Sequence, residues 1–210
     1  MSKQISGQAY WVALGTGLAM VVSILGTSIL SRYLTKPDYG TYRQLLYIYN
    51  SALVLFTAGL PNVFSYFLPR IDLDKGYNFV KKITYFLFVL GTIFSISLYL
   101  GAKYISLVLN NSNLEHSVKL FSILPILLLP TLGIEGILAT YNKSYLITIN
   151  TVVSKLILLS LWILPLFLFG INLDNLIYGW LLASFINLCI TFYIRSLPFK
   201  NSKPVPDNIT

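Results

Sequence analysis

The chain has 210 residues, of which 56% are hydrophobic and 10% are charged, and its formal net charge is +8. Soluble domains average about 25% charged residues, so this composition excludes an ordinary soluble fold and indicates a protein surrounded by lipid. Because Cys189 is the only cysteine, an internal disulfide and a cysteine-rich metal site are excluded as well.

Six apolar runs, separated by short polar stretches, predict an all-α membrane protein built as a bundle of six spanning helices. Each run approaches the about 20 residues that cross about 30 Å of hydrocarbon as an α-helix. The first run is longer than the apolar core of a secretory signal, and no clear cleavage site follows it, so we expect a retained span. The runs are Tyr10–Leu30, Leu45–Leu68, Ile83–Leu100, Leu120–Tyr141, Ile147–Ile171 and Leu176–Ile194.

The basic residues between the runs predict that both termini are cytoplasmic. With the N-terminus inside, the cytoplasmic segments carry more lysine and arginine than the external ones, as the positive-inside rule requires. We therefore assign the positive charge to topology and lipid headgroups rather than to nucleic acid. The cytoplasmic set is Lys3, Arg70, Lys75, Lys81, Lys82, Lys143, Arg195, Lys200 and Lys203, and the external set is Arg32, Lys36, Arg43, Lys103 and Lys119.

Helix-breaking residues predict interruptions in three of the spans. Gly59-Leu60-Pro61 falls in the second span, Pro125 and Pro130 fall in the fourth, and Pro165 falls in the fifth. Proline removes an intrahelical hydrogen bond, so such helices bend or unwind locally. Transporters place broken helices around substrate paths, although proline is also common in ordinary spanning helices.

One polar segment carries a family resemblance. Ser31–Tyr42, with the sequence SRYLTKPDYGTY, resembles the first external loop of Wzx-type polysaccharide and O-antigen flippases, in the multidrug/oligosaccharidyl-lipid/polysaccharide exporter superfamily. Those proteins show an Arg-x-Leu pattern and then a Pro-acidic-Tyr-Gly-x-Tyr turn between the first two helices. Ala58–Pro61 and Phe64–Arg70 also look similar, and the likeness extends from about Tyr10 to Arg195.

The resemblance implies a transporter with no cofactor and no enzymatic activity. It would move an undecaprenyl-diphosphate-linked oligosaccharide from the cytoplasmic to the external leaflet of the bacterial cytoplasmic membrane. Such flippases usually have two six-helix lobes around a central cavity. The present chain resembles the N-terminal lobe, with residues 1–195 as the helical domain and residues 196–210 as a Pro-rich cytoplasmic tail or linker between lobes.

A partner is expected because one lobe cannot enclose an alternating-access cavity. A second copy of the chain or a second lobe would supply the other half of that cavity. The alternative is a non-transporting truncated remnant, or a protein that stabilises a glycan-export assembly.

Two arginines flank the turn that the sequence predicts in this segment. Pro37 and Asp38 favour a tight external hairpin, and Gly40 relieves the backbone there. Arg32 and Arg43 are therefore expected at similar depth on adjacent helices. Two guanidinium groups so placed would bind a pyrophosphate or a sugar carboxylate. The alternative is that they extend to lipid headgroups or pair with Asp38.

Glu135 and Lys155 are the ionisable residues best placed inside spans. Burying either charge alone costs at least about 2.5 kcal/mol on insertion scales. The two positions are nearly symmetric about Ser144-Tyr145, the predicted turn between the fourth and fifth helices, so they would face each other at one depth. A structural ion pair, a cavity or ion-coupling site, and a displaced span boundary all remain open.

An enzyme of glycan metabolism is the weaker alternative. Asp72-Leu73-Asp74 matches the short Asp-x-Asp with which some glycosyltransferases hold a metal and a nucleotide sugar. The neighbouring Lys75 favours a solvated loop instead. His116 is the only histidine, and neither a metal cluster nor a Gly-rich phosphate loop accompanies it.

Overall fold

The computed structural model describes residues 2–57, 59–168 and 172–200. Within these ranges the chain is helical and has no β-strand, which confirms the predicted all-α class. Three short 3-10 helices cover Leu68–Arg70, Leu129–Thr131 and Leu197–Phe199. The α-helices are α1 (Ser2–Tyr33), α2 (Lys36–Thr57), α3 (Pro61–Phe67), α4 (Leu73–Val108), α5 (Asn113–Phe121), α6 (Leu124–Leu128), α7 (Ile134–Thr140), α8 (Ser144–Leu168) and α9 (Leu173–Ser196).

Six stretches of the described chain are long and apolar enough to cross a membrane, as the sequence predicts. Helices α1, α4, α8 and α9 provide the first, third, fifth and sixth spans. The second span combines α2 with α3, and the fourth combines α5, α6 and α7. Several spans exceed the predicted apolar runs, because helices continue into their polar flanks. The 36 residues of α4 correspond to about 54 Å.

Contacts between span ends show that successive spans alternate in direction. The rings of Tyr77, Tyr141 and Phe199 meet where the third span begins and the fourth and sixth end, with centroids 5.6 and 5.1 Å from Phe199. We call this the terminal end of the bundle. At the other end, which we call the turn end, the Asn111 amide donates to Thr41 Oγ1 over 3.0 Å.

Large apolar side chains remain exposed along the helices. Leu55 is 78% exposed and Leu100 is 74% exposed, and many similar side chains accompany them on α1, α2 and α4. Contiguous apolar surface of this kind is rare on proteins that face water. In a membrane, lipid covers this surface and no apolar group is exposed to water, so the chain is a multi-pass membrane protein.

The interior of the bundle is packed with aromatic rings in its turn-end half. Phe94 of α4 stacks on Phe56 and Tyr49 of α2, with centroids 4.4 and 5.7 Å apart. Tyr49 also meets the edge of Phe121 from α5 at 5.7 Å. Stacked and edge-on ring pairs add specific geometry to apolar contact, so this cluster joins the second, third and fourth spans.

The second span is interrupted at the predicted Gly59-Leu60-Pro61. The fourth span is interrupted next to the predicted Pro125 and Pro130 and also at Gly133, where the sequence predicts no interruption. Helix α3 starts at Pro61 after the break at Gly59, and α7 starts after Gly133. The predicted interruption at Pro165 is wrong, because α8 is continuous to Leu168. A membrane helix tolerates one proline where neighbouring turns keep their own hydrogen bonds.

The turn between the first two spans differs from the predicted hairpin. Helix α1 ends at Tyr33 and α2 begins at Lys36, so Pro37 and Asp38 form the first helical turn rather than a loop. The Asp38 backbone N–H donates to Thr35 Oγ1 over 3.3 Å, and the Thr35 hydroxyl donates to the Asp38 carboxylate over 2.8 Å. This cap starts the helix early, and proline is well accepted in a first turn.

The predicted Pro-rich tail is ordered at its start. Leu197–Phe199 forms a 3-10 helix, and Phe199 is buried against the terminal end of the bundle. Residues 201–210 of the predicted tail or linker lie outside the described residues.

Candidate functional site

The break in the fourth span is built around Gly133. This residue has a φ of 77°, in the left-handed region that disfavours side chains. A Cβ at this position would also overlap the Phe64 ring of α3 and lie 3.2 Å from the Pro61 carbonyl oxygen. The interruptions of the second and fourth spans therefore contact each other directly.

Arg195 reaches this break from the end of α9. Its side chain is only 5% exposed. It donates to the Leu132 carbonyl oxygen over 3.2 Å and to Thr84 Oγ1 of α4 over 2.6 Å. Because Leu132 lies at the interruption, its carbonyl has lost the helical donor that a continuous helix would supply. The guanidinium thus connects the third, fourth and sixth spans.

A cavity of about 380 Å³ lies beside Arg195 at the terminal end, between α4 and α9. We call it the terminal cavity. Its wall is mostly aromatic and aliphatic, and its charged lining residues are both basic, namely Arg195 and Lys81. The other lining residues are Tyr77, Val80, Thr84, Tyr85, Phe88, Phe192, Ser196 and Phe199.

Two further cavities meet at Lys155 in the middle of the bundle. They measure about 220 and 200 Å³, and Lys155, Leu158 and Trp180 line both. We call them together the central cavities. The larger is bounded by α6, α8 and α9, and the smaller by α1, α2, α8 and α9. Five of the six spans therefore contribute to their walls.

Polar groups surround Lys155 without neutralising it. The Ser154 hydroxyl donates to the Asn187 side-chain oxygen, which leaves the side-chain N–H groups of Asn187 as donors. Trp162, which lines the smaller cavity, has a buried indole N–H without a partner. The Lys155 ammonium itself makes no hydrogen bond or ion pair with any residue in the described ranges. The central cavities therefore combine one free cation with ring faces and amide groups.

One face of α9 connects the two regions. Ser184, Thr191 and Arg195 are all buried, and with Asn187 they follow the three- and four-residue spacing of a helix face. Ser184 and Asn187 line the larger central cavity, whereas Arg195 lines the terminal cavity. Polar spacing within an apolar run is the sequence signal that would have revealed Arg195 as an internal residue.

Comparison with known proteins adds one decisive observation. The family model described as polysaccharide biosynthesis protein matches residues 29–202, which is most of the chain. The chain belongs to the polysaccharide biosynthesis protein family. No curated protein and no solved structure matches it. The family assignment therefore comes from the sequence pattern of the second to sixth spans and the end of the first.

The two arginines predicted to bind substrate in this polysaccharide biosynthesis protein do not share one depth. Arg32 precedes the end of α1 by one residue, whereas Arg43 follows the start of α2 by seven residues, which is about 10 Å. The expected symmetry is wrong because the turn lies at Leu34-Thr35, earlier than predicted. Both side chains are exposed, and neither pairs with Asp38 among the described residues. Their role in binding stays a prediction.

The predicted contact between Glu135 and Lys155 is not formed. Glu135 is exposed in the first turn of α7, while Lys155 lies on α8 against the central cavities. Equal distance from a turn fixes depth along two helices but not the direction in which side chains point. In the part of the chain that the structure describes, no ion pair joins them, and a coupling role for either residue stays a prediction.

The residues weighed for metal chemistry lie apart. No group of three or more His, Cys, Asp or Glu among the described residues is placed to hold a metal ion. His116 instead meets Asp174 at the turn end, with 3.2 Å between the His116 Nε2 and the carboxylate oxygen. Asp72 immediately precedes α4, and Asp74 is in its first turn. The contact of His116 joins the fourth span to the sixth.

Proposed function

We propose that the chain is a transport lobe of a flippase that moves a lipid-linked oligosaccharide across the bacterial cytoplasmic membrane for polysaccharide biosynthesis. Membership of the polysaccharide biosynthesis protein family and the six-span bundle support this role. In this proposal the terminal end faces the cytoplasm, because the basic residues of the chain concentrate there. The protein makes no covalent change in its cargo and uses no cofactor.

The observation that carries the proposal is the free ammonium group of Lys155. A lysine within a spanning region costs at least about 2.5 kcal/mol on insertion scales. A protein that keeps such a charge without an internal partner has a use for an anion that arrives from outside. The diphosphate of a lipid-linked oligosaccharide supplies that anion. Trp162 and Trp180 offer ring faces, and Asn187 offers an amide, to an amphipathic headgroup.

The size of the central cavities supports a site shared between two lobes. Each holds about 200 Å³, whereas sites for complete small ligands usually hold about 300–1,000 Å³. One lobe therefore provides the cationic wall of the site, and a second lobe or a second copy provides the opposite wall. Rocking of the two halves would then expose Lys155 to each side of the membrane in turn.

A transport assay with matched lysine variants tests this proposal. The protein is reconstituted in vesicles with a fluorescent undecaprenyl-diphosphate-linked oligosaccharide, and the probe that reaches the outer leaflet is measured over time. We expect Lys155→Met to lower the rate about tenfold, because a charge-assisted contact is lost, and Lys155→Arg to retain most of it. Lys103→Met removes an exposed lysine at the turn end of α4 and serves as the control.

Two results would count against the proposal, and they mean different things. Wild-type vesicles that move no probe, alone or with a second lobe added, would favour a non-transporting partner in a glycan-export assembly. Full transport by Lys155→Met would keep the flippase but remove Lys155 from its binding site.

Glu135 provides a separate test of energy coupling. Its exposed carboxyl lies within the fourth span, where a change of protonation would alter the cost of contact with lipid. We expect Glu135→Gln to abolish the dependence of transport on an ion gradient while membrane insertion stays intact. Gradient-dependent transport by the variant at the wild-type level would exclude this residue.

A further inference from the structure

We propose that the terminal cavity binds the phosphate headgroup of an anionic membrane phospholipid, with Arg195 at its inner wall and Lys81 at its mouth. This site is separate from the central cavities and takes a resident lipid of the bilayer rather than the transported glycan. The proposal is independent of the proposed transport function.

The charge of Arg195 is buried and is not neutralised by the protein. The guanidinium is 5% exposed, and its two hydrogen-bond acceptors, Thr84 and Leu132, are both neutral groups. No carboxylate within the described ranges forms an ion pair with it. A guanidinium has five N–H donors, so these two contacts leave three, and Nε has no partner at all. The unused N–H donors of this buried guanidinium are available to bind an anion.

The charge of the cavity selects the sign of its occupant. Arg195 and Lys81 are its charged lining residues, and Lys81 is exposed on the same helix as Thr84. Arginine forms paired hydrogen bonds with phosphate oxygens, while lysine acts as a mobile point charge. A phosphate between them would satisfy donors of Arg195 and accept a contact from Lys81.

The aromatic lining indicates that this phosphate belongs to a lipid. Tyr85 is 71% exposed and Phe88 is 42% exposed on the outer side of α4, so the cavity adjoins the lipid-facing surface. Tyrosine and other aromatic rings at a helix end suit the headgroup level of a bilayer. A hydrated free anion gains nothing from such walls, whereas the glycerol and first methylene groups of a phospholipid gain apolar contact.

Native mass spectrometry of the full chain tests the site. The protein is reconstituted in vesicles of phosphatidylcholine with phosphatidylglycerol, extracted in mild detergent, and the retained lipids are counted. We expect wild-type protein to retain phosphatidylglycerol in preference to phosphatidylcholine. Lys81→Met should lower that preference about fivefold, since a basic residue near anionic lipid contributes about 1 kcal/mol.

Lys103→Met is the matched control, because it removes an exposed lysine from the opposite end of the same helix. It should leave the preference unchanged. Arg195→Gln should abolish the preference, and Lys81→Met keeps the test decisive if that variant fails to fold. Equal retention of the two lipids by wild-type protein would overturn the proposal, as would an unchanged preference in Lys81→Met. Displacement of phosphatidylglycerol by millimolar inorganic phosphate would show a free-anion site and would overturn the lipid assignment.

Discussion

Arg195 is a buried cation and Lys155 is a half-buried one, and their surroundings differ. Arg195 sits at the break of the fourth span and donates to two groups on two other spans. Lys155 lies between cavities and makes no hydrogen bond with a described residue. The side chain of Arg195 is fixed by contacts with other spans, whereas the Lys155 ammonium makes no such contact among the described residues.

The difference follows from the chemistry of the two side chains. A planar guanidinium with several donors can satisfy a carbonyl that a broken helix has released and still reach a hydroxyl on a third helix. A lysine ammonium on a flexible stem fixes no such geometry and is free to meet a ligand. We therefore expect substitution of Arg195 to damage the fold first, and substitution of Lys155 to damage ligand binding first.

A substitution at Gly133 should destabilise the protein most, because this glycine forms the helix interruption at which Arg195 donates to the Leu132 carbonyl. Gly133→Ala places a Cβ at a φ of 77° and against the Phe64 ring. Left-handed strain and overpacking together should destabilise the protein by about 3 kcal/mol. Thermal unfolding in detergent measures this loss. Gly17→Ala is the control, because nothing lies within 4 Å of a Cβ there; equal melting temperatures of the two variants would contradict the packed break.

Two methionine variants test the contrast between Arg195 and Lys155. Arg195→Met removes the donor of the Leu132 carbonyl and should destabilise the protein by about 2 kcal/mol, the cost of a buried acceptor left without a partner. Lys155→Met removes an unpaired, half-buried charge from a spanning helix, so the stability of this variant should equal or exceed that of the wild type. Melting curves that show the reverse order would mean that the two cations have been assigned the wrong roles.

The smallest expected effect separates the two hydrogen bonds of Arg195. Thr84→Val deletes the hydroxyl that accepts from the guanidinium over 2.6 Å and should cost about 1 kcal/mol. Thr92→Val, also on α4, deletes a hydroxyl that bonds only to its own helix at Phe88 and should be close to neutral. If both variants unfold at one temperature, the contact between Thr84 and Arg195 contributes nothing to stability.

Hydropathy was sufficient to predict the spans because lipid imposes a length and a composition on every helix that crosses it. The breaks at Gly59 and Gly133 were less accessible. Pro61 indicates the break at Gly59. The break at Gly133 follows Pro130, and no local sequence pattern fixes the φ of that glycine. Pro165 gave the wrong prediction, since the hydrogen bonds of neighbouring turns sustain the helix around it.

The site was predictable only in part, because it depends on which way side chains face. Lys155 stood out as a charge in an apolar run, and the structure places it against the central cavities. Arg195 follows the last apolar run, so the sequence alone places it with the cytoplasmic basic residues. Only the long-range contacts with Thr84 and Leu132 reveal that it points into the bundle. The predicted depth of Arg43 is wrong because the Thr35 cap starts α2 early and so moves the turn.

Tryptophan fluorescence can measure directly whether the diphosphate headgroup binds at Lys155. Trp162 and Trp180 line the central cavities, so their fluorescence reports binding once Trp11→Phe has removed the other tryptophan. Titration of this protein in phosphatidylcholine nanodiscs with an undecaprenyl-diphosphate-linked sugar should give a saturable change. The same titration of Lys155→Met should give an affinity about tenfold weaker. Equal affinities in the two proteins would contradict the assignment of Lys155 as the ligand-binding cation.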